Sequence, residues 1–233
     1  MNGLVRKATL LTVCGLLGAT AAMAGVPSAS TSTIGANINL VGNKAGVVDV
    51  RGAKTIVIRD AGGNPVANST VIIDFTLGYA AEFRIGSVQP FAGMGVSCGA
   101  HQVVVVTDAT GSATFRVQGY AINPGGGITI SGPPGPGLTN AAGATVTADG
   151  VTLGTLVVAA YDQNTLAGVN SIDQARLLND IFSCNCAAPF GPNNRTRSDL
   201  NFDGRMTSVD LALFLQVSLP PGSSSQSNSV ACP

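Results

Sequence analysis

From Ile38 to about Ala160, apolar and polar positions alternate in short runs. "KTIVIRD" (54–60), "STVIIDFTL" (69–77), "HQVVVVTD" (101–108), "SATFRVQGYA" (112–121), "GITIS" (127–131), "ATVTADG" (144–150) and "GTLVVAA" (154–160) are rich in β-branched residues. Turn-forming clusters separate them, among them "DAGGNPVAN" at 60–68 and "DATG" at 108–111. Seven or so such strands over about 125 residues predict a β-sandwich. At Tyr161 the spacing changes. Residues 171–182 place Ile172, Ala175, Leu178 and Phe182 on one helical face, and 208–217 do the same with Val209, Ala212 and Leu213. The pattern therefore predicts a mainly β chain, a sandwich followed by a small helical module.

The first 24 residues read differently from both modules. Arg6 and Lys7 precede an apolar run from Ala8 to about Thr20, and Ala22-Met23-Ala24 follows. This is the order of a secretory signal peptide, with cleavage predicted before Gly25. The apolar run falls short of the roughly 20 residues that span a bilayer. The predicted organisation is signal peptide 1–24, N-terminal segment 25–35, sandwich 36–160, helical module 161–219 and flexible tail 220–233.

Export changes the charge and cysteine readings. Without Arg6 and Lys7, 10 basic residues face 12 acidic ones, and no Lys/Arg cluster suits a nucleic acid. Cys98, Cys184, Cys186 and Cys232 remain, an even number that predicts two disulfides. The favoured arrangement ties Cys232 to Cys184 or Cys186 and leaves Cys98 for the other. A Cys184–Cys186 ring would be small and strained.

The charge that the chain does carry is concentrated in "RSDLNFDGRMTSVDLALFLQ" (197–216). Counting from Asp199 as position 1, Asn201 is position 3, Asp203 position 5, Gly204 position 6, Arg205 position 7 and Asp210 position 12. An EF-hand calcium loop uses side-chain oxygens at 1, 3, 5 and 12, a carbonyl at 7 and a turn glycine at 6. Every slot is filled, with Asp in place of Glu at position 12 and Arg205 offering the carbonyl. Sliding back 37 residues gives "DQNTLAGVNSID", with Asp162 at 1, Asn164 at 3 and Asp173 at 12. Position 5 is Leu166 and position 6 is Ala167; the glycine has moved to Gly168, and Asn170 at position 9 offers a further oxygen. The chain thus contains an internal duplication. Calcium is the predicted cofactor, and the second loop, with three carboxylates against two, is predicted to bind it more tightly.

Two resemblances extend these readings. Asp60, Gly63, Asn64, Pro65 and Val66, then Val71, Ile73 and Phe75, then Thr107, Asp108, Gly111, Ala113 and Thr114 resemble the bacterial immunoglobulin-like repeats of adhesins over roughly residues 36–160. Two loop–helix units without entering helices, each closed by Asp, resemble dockerin modules over about residues 160–219. That resemblance implies a calcium-stabilised paired-helix fold that binds a cohesin domain through positions 10 and 11, here Ser171-Ile172 and Ser208-Val209.

No catalytic constellation stands out. His101 is the only histidine, at the start of an apolar strand, and Asp60, Asp108 and Asp149 sit in turn-like sequence. With no Trp and three Tyr, an aromatic sugar-binding face is disfavoured. The sequence predicts a non-catalytic extracellular or cell-surface protein with a structural, adhesive or assembly role. The alternatives are a dockerin that recruits a cohesin scaffold within a polysaccharide-degrading complex, and a carbohydrate-active or carbohydrate-binding protein.

Overall fold

The computed structural model of the chain describes residues 25–44, 47–79, 83–121, 143–164, 168–183, 198–203, 205–218 and 231–233. The predicted signal peptide and the "GITIS" strand lie outside them, as do Leu166, Ala167, Cys184, Cys186 and Gly204.

The protein is mainly β. In chain order the strands are β1 (Asn37–Leu40), β2 (Asn43–Lys44), β3 (Val47–Val48), β4 (Ala53–Val57), β5 (Thr70–Asp74) and β6 (Phe83–Ile85). They continue with β7 (Met94–Ser97), β8 (Gln102–Val106), β9 (Ser112–Arg116), β10 (Gly119–Ala121), β11 (Gly143–Ala148) and β12 (Val151–Ala160). The helices are a single turn, α1 (Thr76–Tyr79), then α2 (Ser171–Ser183) and α3 (Ser208–Ser218).

Six strands form one sheet in the order β1-β12-β11-β5-β8-β7. Its neighbours are antiparallel except β1 and β12, which run parallel with Ile38 opposite Val158. The β4–β9 and β6–β10 ribbons complete the body, with β2–β3 beside them. Period-two alternation fixes the register. Val71 and Ile73 point inward from β5 and lie opposite Val105 and Val103 of β8. Ile56, Ala113 and Phe115 of the β4–β9 ribbon share one core with them and with Val146 and Leu156. Burying each large apolar side chain contributes roughly 1.5–3 kcal/mol.

Asp60 and Asp108 act as the sequence predicts, by folding turns onto their own carboxylates. Asp60 Oδ1 accepts from the amides of Gly62 and Asn64, at 2.9 and 2.8 Å. Asp108 Oδ1 accepts from those of Thr110 and Ser112, at 2.8 and 3.0 Å. Gly111 ends the second turn at φ +76°, where a Cβ would lie 2.5 Å from the Ile58 carbonyl oxygen. Asp149 does something different: its Oδ1 accepts from the Thr70 amide that opens β5, at 2.8 Å.

The disulfide differs from the favoured pairing. Cys232 joins Cys98, with sulfurs 2.04 Å apart. The cause is local pairing at the chain end. Ala231 bridges Gly86, and the Cys232 amide donates to the Ile85 carbonyl at 3.0 Å, which carries the sulfur to the edge where Cys98 waits. The tail expected to be flexible therefore ends in an anchored segment, with Cys232 2% exposed. His101 lies beside it, its Nε2 3.2 Å from the Pro233 carbonyl oxygen.

The predicted helix faces are also corrected. Ile172 and Val209 are 46% and 50% exposed, Phe182 is 81% exposed, and Ala175 and Ala212 are exposed too. The buried stripes are Asp173, Leu177 and Asp180 on α2, and Asp210, Phe214 and Val217 on α3. One offset of 37 residues carries the first set onto the second. Of the predicted positions, Leu178 is half-buried and Leu213 packs, partly buried, against the core that holds Phe214; apolar periodicity misplaced the others because each inward stripe starts on a carboxylate.

Candidate metal centre

Each acidic loop closes on its final aspartate in the same way. In loop one, Asp173 Oδ1 accepts from the Gln163 amide at 2.6 Å and Oδ2 from the Asn170 amide at 2.8 Å. In loop two, Asp210 Oδ1 accepts from the Leu200 amide at 2.8 Å and Oδ2 from the Thr207 amide at 2.7 Å. The donors occupy positions 2 and 9 in both loops. Position 9 returns a bond to the helix. Asn170 Oδ1 accepts from the Ile172 amide at 2.8 Å, and Thr207 Oγ1 from the Val209 amide at 3.2 Å. Each loop thus ends in a reciprocal capping box, which seats the acid inside the first turn of a helix. A negative charge is favoured there by the helix dipole.

The opening halves differ. In loop one Asp162 Oδ1 accepts from the Asn164 amide at 3.2 Å and Oδ2 from the Gly168 amide at 3.1 Å. Asp162, Asn164 and Asp173 are all buried, and Gly168 turns the chain at φ +103°. In loop two Asn201 Oδ1 accepts from the Asp203 amide at 3.1 Å, and Asp203 Oδ1 from the Arg205 amide at 2.8 Å. The Asn201 side-chain amide also donates to Asp203 Oδ2, at 3.0 Å. Asp199 and Asp210 are buried while Asp203 is exposed. The left-handed turn seen in this loop is at Phe202, φ +60°. A bulky side chain in that conformation costs about 1 kcal/mol or more.

Among the described residues, no three His, Cys, Asp or Glu side chains converge as a metal-holding group. Loop one has only two carboxylates to offer, and in loop two Asp203 turns toward Asn201 and Arg205. The electrostatics of loop one nevertheless suit a cation. Burial, and next the charge of Asp162, push the Asp173 carboxyl up to about 7. Two carboxylates facing each other inside a protein repel, and a divalent cation between them would relieve both the repulsion and the desolvation. The donor set is oxygen throughout, the chemistry that suits calcium. Asp162, Asn164 and Asp173 would hold it in loop one, with Gly168 and Asn170 adjacent. Asp199, Asn201, Asp203, Asp210 and the Arg205 carbonyl are the corresponding set in loop two.

Sequence reading missed the residues that join the loops. Ser198 precedes Asp199, and Gln163 follows Asp162. The Ser198 hydroxyl lies 2.6 Å from Asp180 Oδ2 and 3.4 Å from Gln163 Oε1, all three residues being buried. The Gln163 side-chain amide donates to the Ala160 carbonyl at 2.5 Å, and Arg176 Nη1 to the Gln163 carbonyl at 3.3 Å. A signal was present: Asp180 lies two turns beyond Asp173, on the same helical stripe. Compared with known proteins, the chain matches no family model, no curated protein and no solved structure.

Proposed function

We propose that the chain is a non-catalytic extracellular or cell-surface protein, exported through residues 1–24. In this reading an Ig-like β-sandwich over 36–160 carries a calcium-stabilised, dockerin-like module over 161–219, and the role is structural, adhesive or in assembly. The observation that carries the reading is the doubled frame: amide donors at positions 2 and 9 and a buried Asp at position 12 inside the first turn of a helix, repeated at an offset of 37 residues. Strand pairing supports the Ig-like half. β12, β11 and β5 neighbour one another as strands G, F and C do, β8 extends that sheet, and β4 pairs with β9 as B pairs with E. Calcium supplies a compact positive charge; the chain's own residues supply the oxygens and keep them inside a helix-capping turn. Thermal unfolding of the chain from Gly25 onward tests this. A ligand of the folded state at a hundredfold excess over its Kd stabilises by about 2.7 kcal/mol, so the melting temperature should rise in millimolar calcium and fall back with chelator. Identical melts with calcium and with chelator would contradict the reading.

A second reading, recruitment of a cohesin-type protein, is favoured by one observation. Ser171, Ile172, Ser208 and Val209 are all exposed, although Ile172 and Val209 are apolar. Capture of purified cohesin domains, lost in the double variant Ile172→Asp and Val209→Asp, would support it. Absence of capture by the unaltered chain would remove it.

A further inference from the structure

The two acidic loops are built into the β body. Val41, just past β1, and Val48 and Ala159 from β3 and β12 share one core with Tyr161, Val169, Leu177, Leu200, Phe214 and Val217. Strand β12 ends at Ala160 and loop one starts at Asp162, with Tyr161 2% exposed between them and its amide donating to the Leu40 carbonyl at 3.1 Å. No spacer separates strand from loop.

One hydrogen bond then ties each loop's opening stretch to a particular strand. The Ala121 amide, at the end of β10, donates to the Asp162 carbonyl at 2.7 Å. The Asn39 side-chain amide, on β1, donates to the Leu200 carbonyl at 3.2 Å. The Asp162 carbonyl shares its peptide unit with the Gln163 amide, which donates to Asp173 Oδ1 at 2.6 Å, and the Leu200 carbonyl shares its unit with the Asn201 amide, which donates to Asp210 Oδ1 at 3.3 Å. Any ordering of either loop therefore acts on a peptide unit that a strand already holds.

We propose that cation binding in the two loops is transmitted through the Asp162 and Leu200 peptides into β10 and β1, so that the C-terminal module is a calcium-dependent lock on the β body. This inference rests on the calcium reading above. It goes beyond it by giving calcium a target outside the loops. The physical argument is reciprocity. If cation binding favours the docked arrangement of β1 and β10, contacts that hold those strands to the loops must favour cation binding by the same factor.

Hydrogen exchange of the chain from Gly25 onward, in calcium and in chelator, tests the lock, with calorimetry of calcium binding on the same sample. The expected result is slower exchange in calcium at 37–41 and 119–121 as well as within 162–218. Asn39→Ala should lower calcium affinity about 2–10-fold, the loss of one hydrogen bond, and shrink the response at β1. Calcium heat with protection confined to 162–218 would overturn the lock and leave the calcium reading standing. Asn39→Ala that lowers stability without changing calcium affinity would overturn it too. Neither heat nor any protection would overturn the calcium reading and the lock together.

Discussion

Ser198 lies 2.6 Å from Asp180, hydroxyl to carboxylate, with both residues buried. Ser198 sits immediately before the first oxygen of loop two, and Asp180 is on the helix that leaves loop one. The contact joins two loops that lie 37 residues apart in sequence. Buried hydrogen bonds to a charged acceptor are the stronger kind, because the carboxylate otherwise loses part of its solvation.

Removing that hydroxyl should be costly. Ser198→Ala takes one donor from a buried carboxylate, and a loss of about 1.5–3 kcal/mol is expected. Urea unfolding measures it. Ser198→Thr, which keeps the hydroxyl, should recover part of the loss. Stability unchanged in Ser198→Ala would mean that Asp180 is satisfied without this bond.

The corrected helix face makes a second prediction. Leu177 is fully buried beside Phe214, whereas Ile172 on the same helix is 46% exposed. Leu177→Ala should cost about 2–5 kcal/mol, from the lost transfer energy and the cavity left behind. Ile172→Ala should stay near the roughly 0.5 kcal/mol of ordinary surface changes. Chemical denaturation of both variants separates this arrangement from the apolar face read in the sequence, which predicts the opposite order.

The disulfide gives a third. Cys98 and Cys232 are 134 residues apart. Closing loops of this size restricts the unfolded chain, and the chain-entropy argument gives about 4.7 kcal/mol for a 100-residue loop. Peptide mapping without reductant should find the 231–233 end linked to the Cys98 peptide. The double variant Cys98→Ser and Cys232→Ser should melt lower by the equivalent of about 2–5 kcal/mol. Cys232 linked to Cys184 or Cys186 would contradict the pairing.

Strands β1, β2, β3, β6 and β7 fall in none of the runs read from the sequence, being short and without clear alternation, whereas β4, β5, β8, β9, β11 and β12 were legible because alternation such as that at Val71, Ile73, Val103 and Val105 is a local signal. The turns at Asp60 and Asp108 were legible for the same reason: each is closed by its own side chain. Both capping boxes were implicit in the spacing of Asn170 to Asp173 and Thr207 to Asp210. The helix faces were not legible. An inward Asp173 or Asp210 looks like a solvated residue until its backbone donors are known, so the apolar residues beside it were read as core. The chain-end disulfide was hidden because it depends on the Gly86–Ala231 bridge, a pairing between distant segments. The joins from Asn39 to Leu200 and from Ala121 to Asp162 are long-range too, and no local pattern marks them.

Calcium binding by the two acidic loops is open to direct calorimetric titration. Calcium should be titrated into the chain from Gly25 onward and into the variants Asp162→Ala, Asp203→Ala and Asp199→Ala. Loop two offers three carboxylates and loop one two, and affinity rises with ligand charge. Saturable binding is expected, weakened at least tenfold at the tighter site by Asp199→Ala or Asp203→Ala, and less affected there by Asp162→Ala. No saturable heat from the unaltered chain, or equal binding by all three variants, would contradict it.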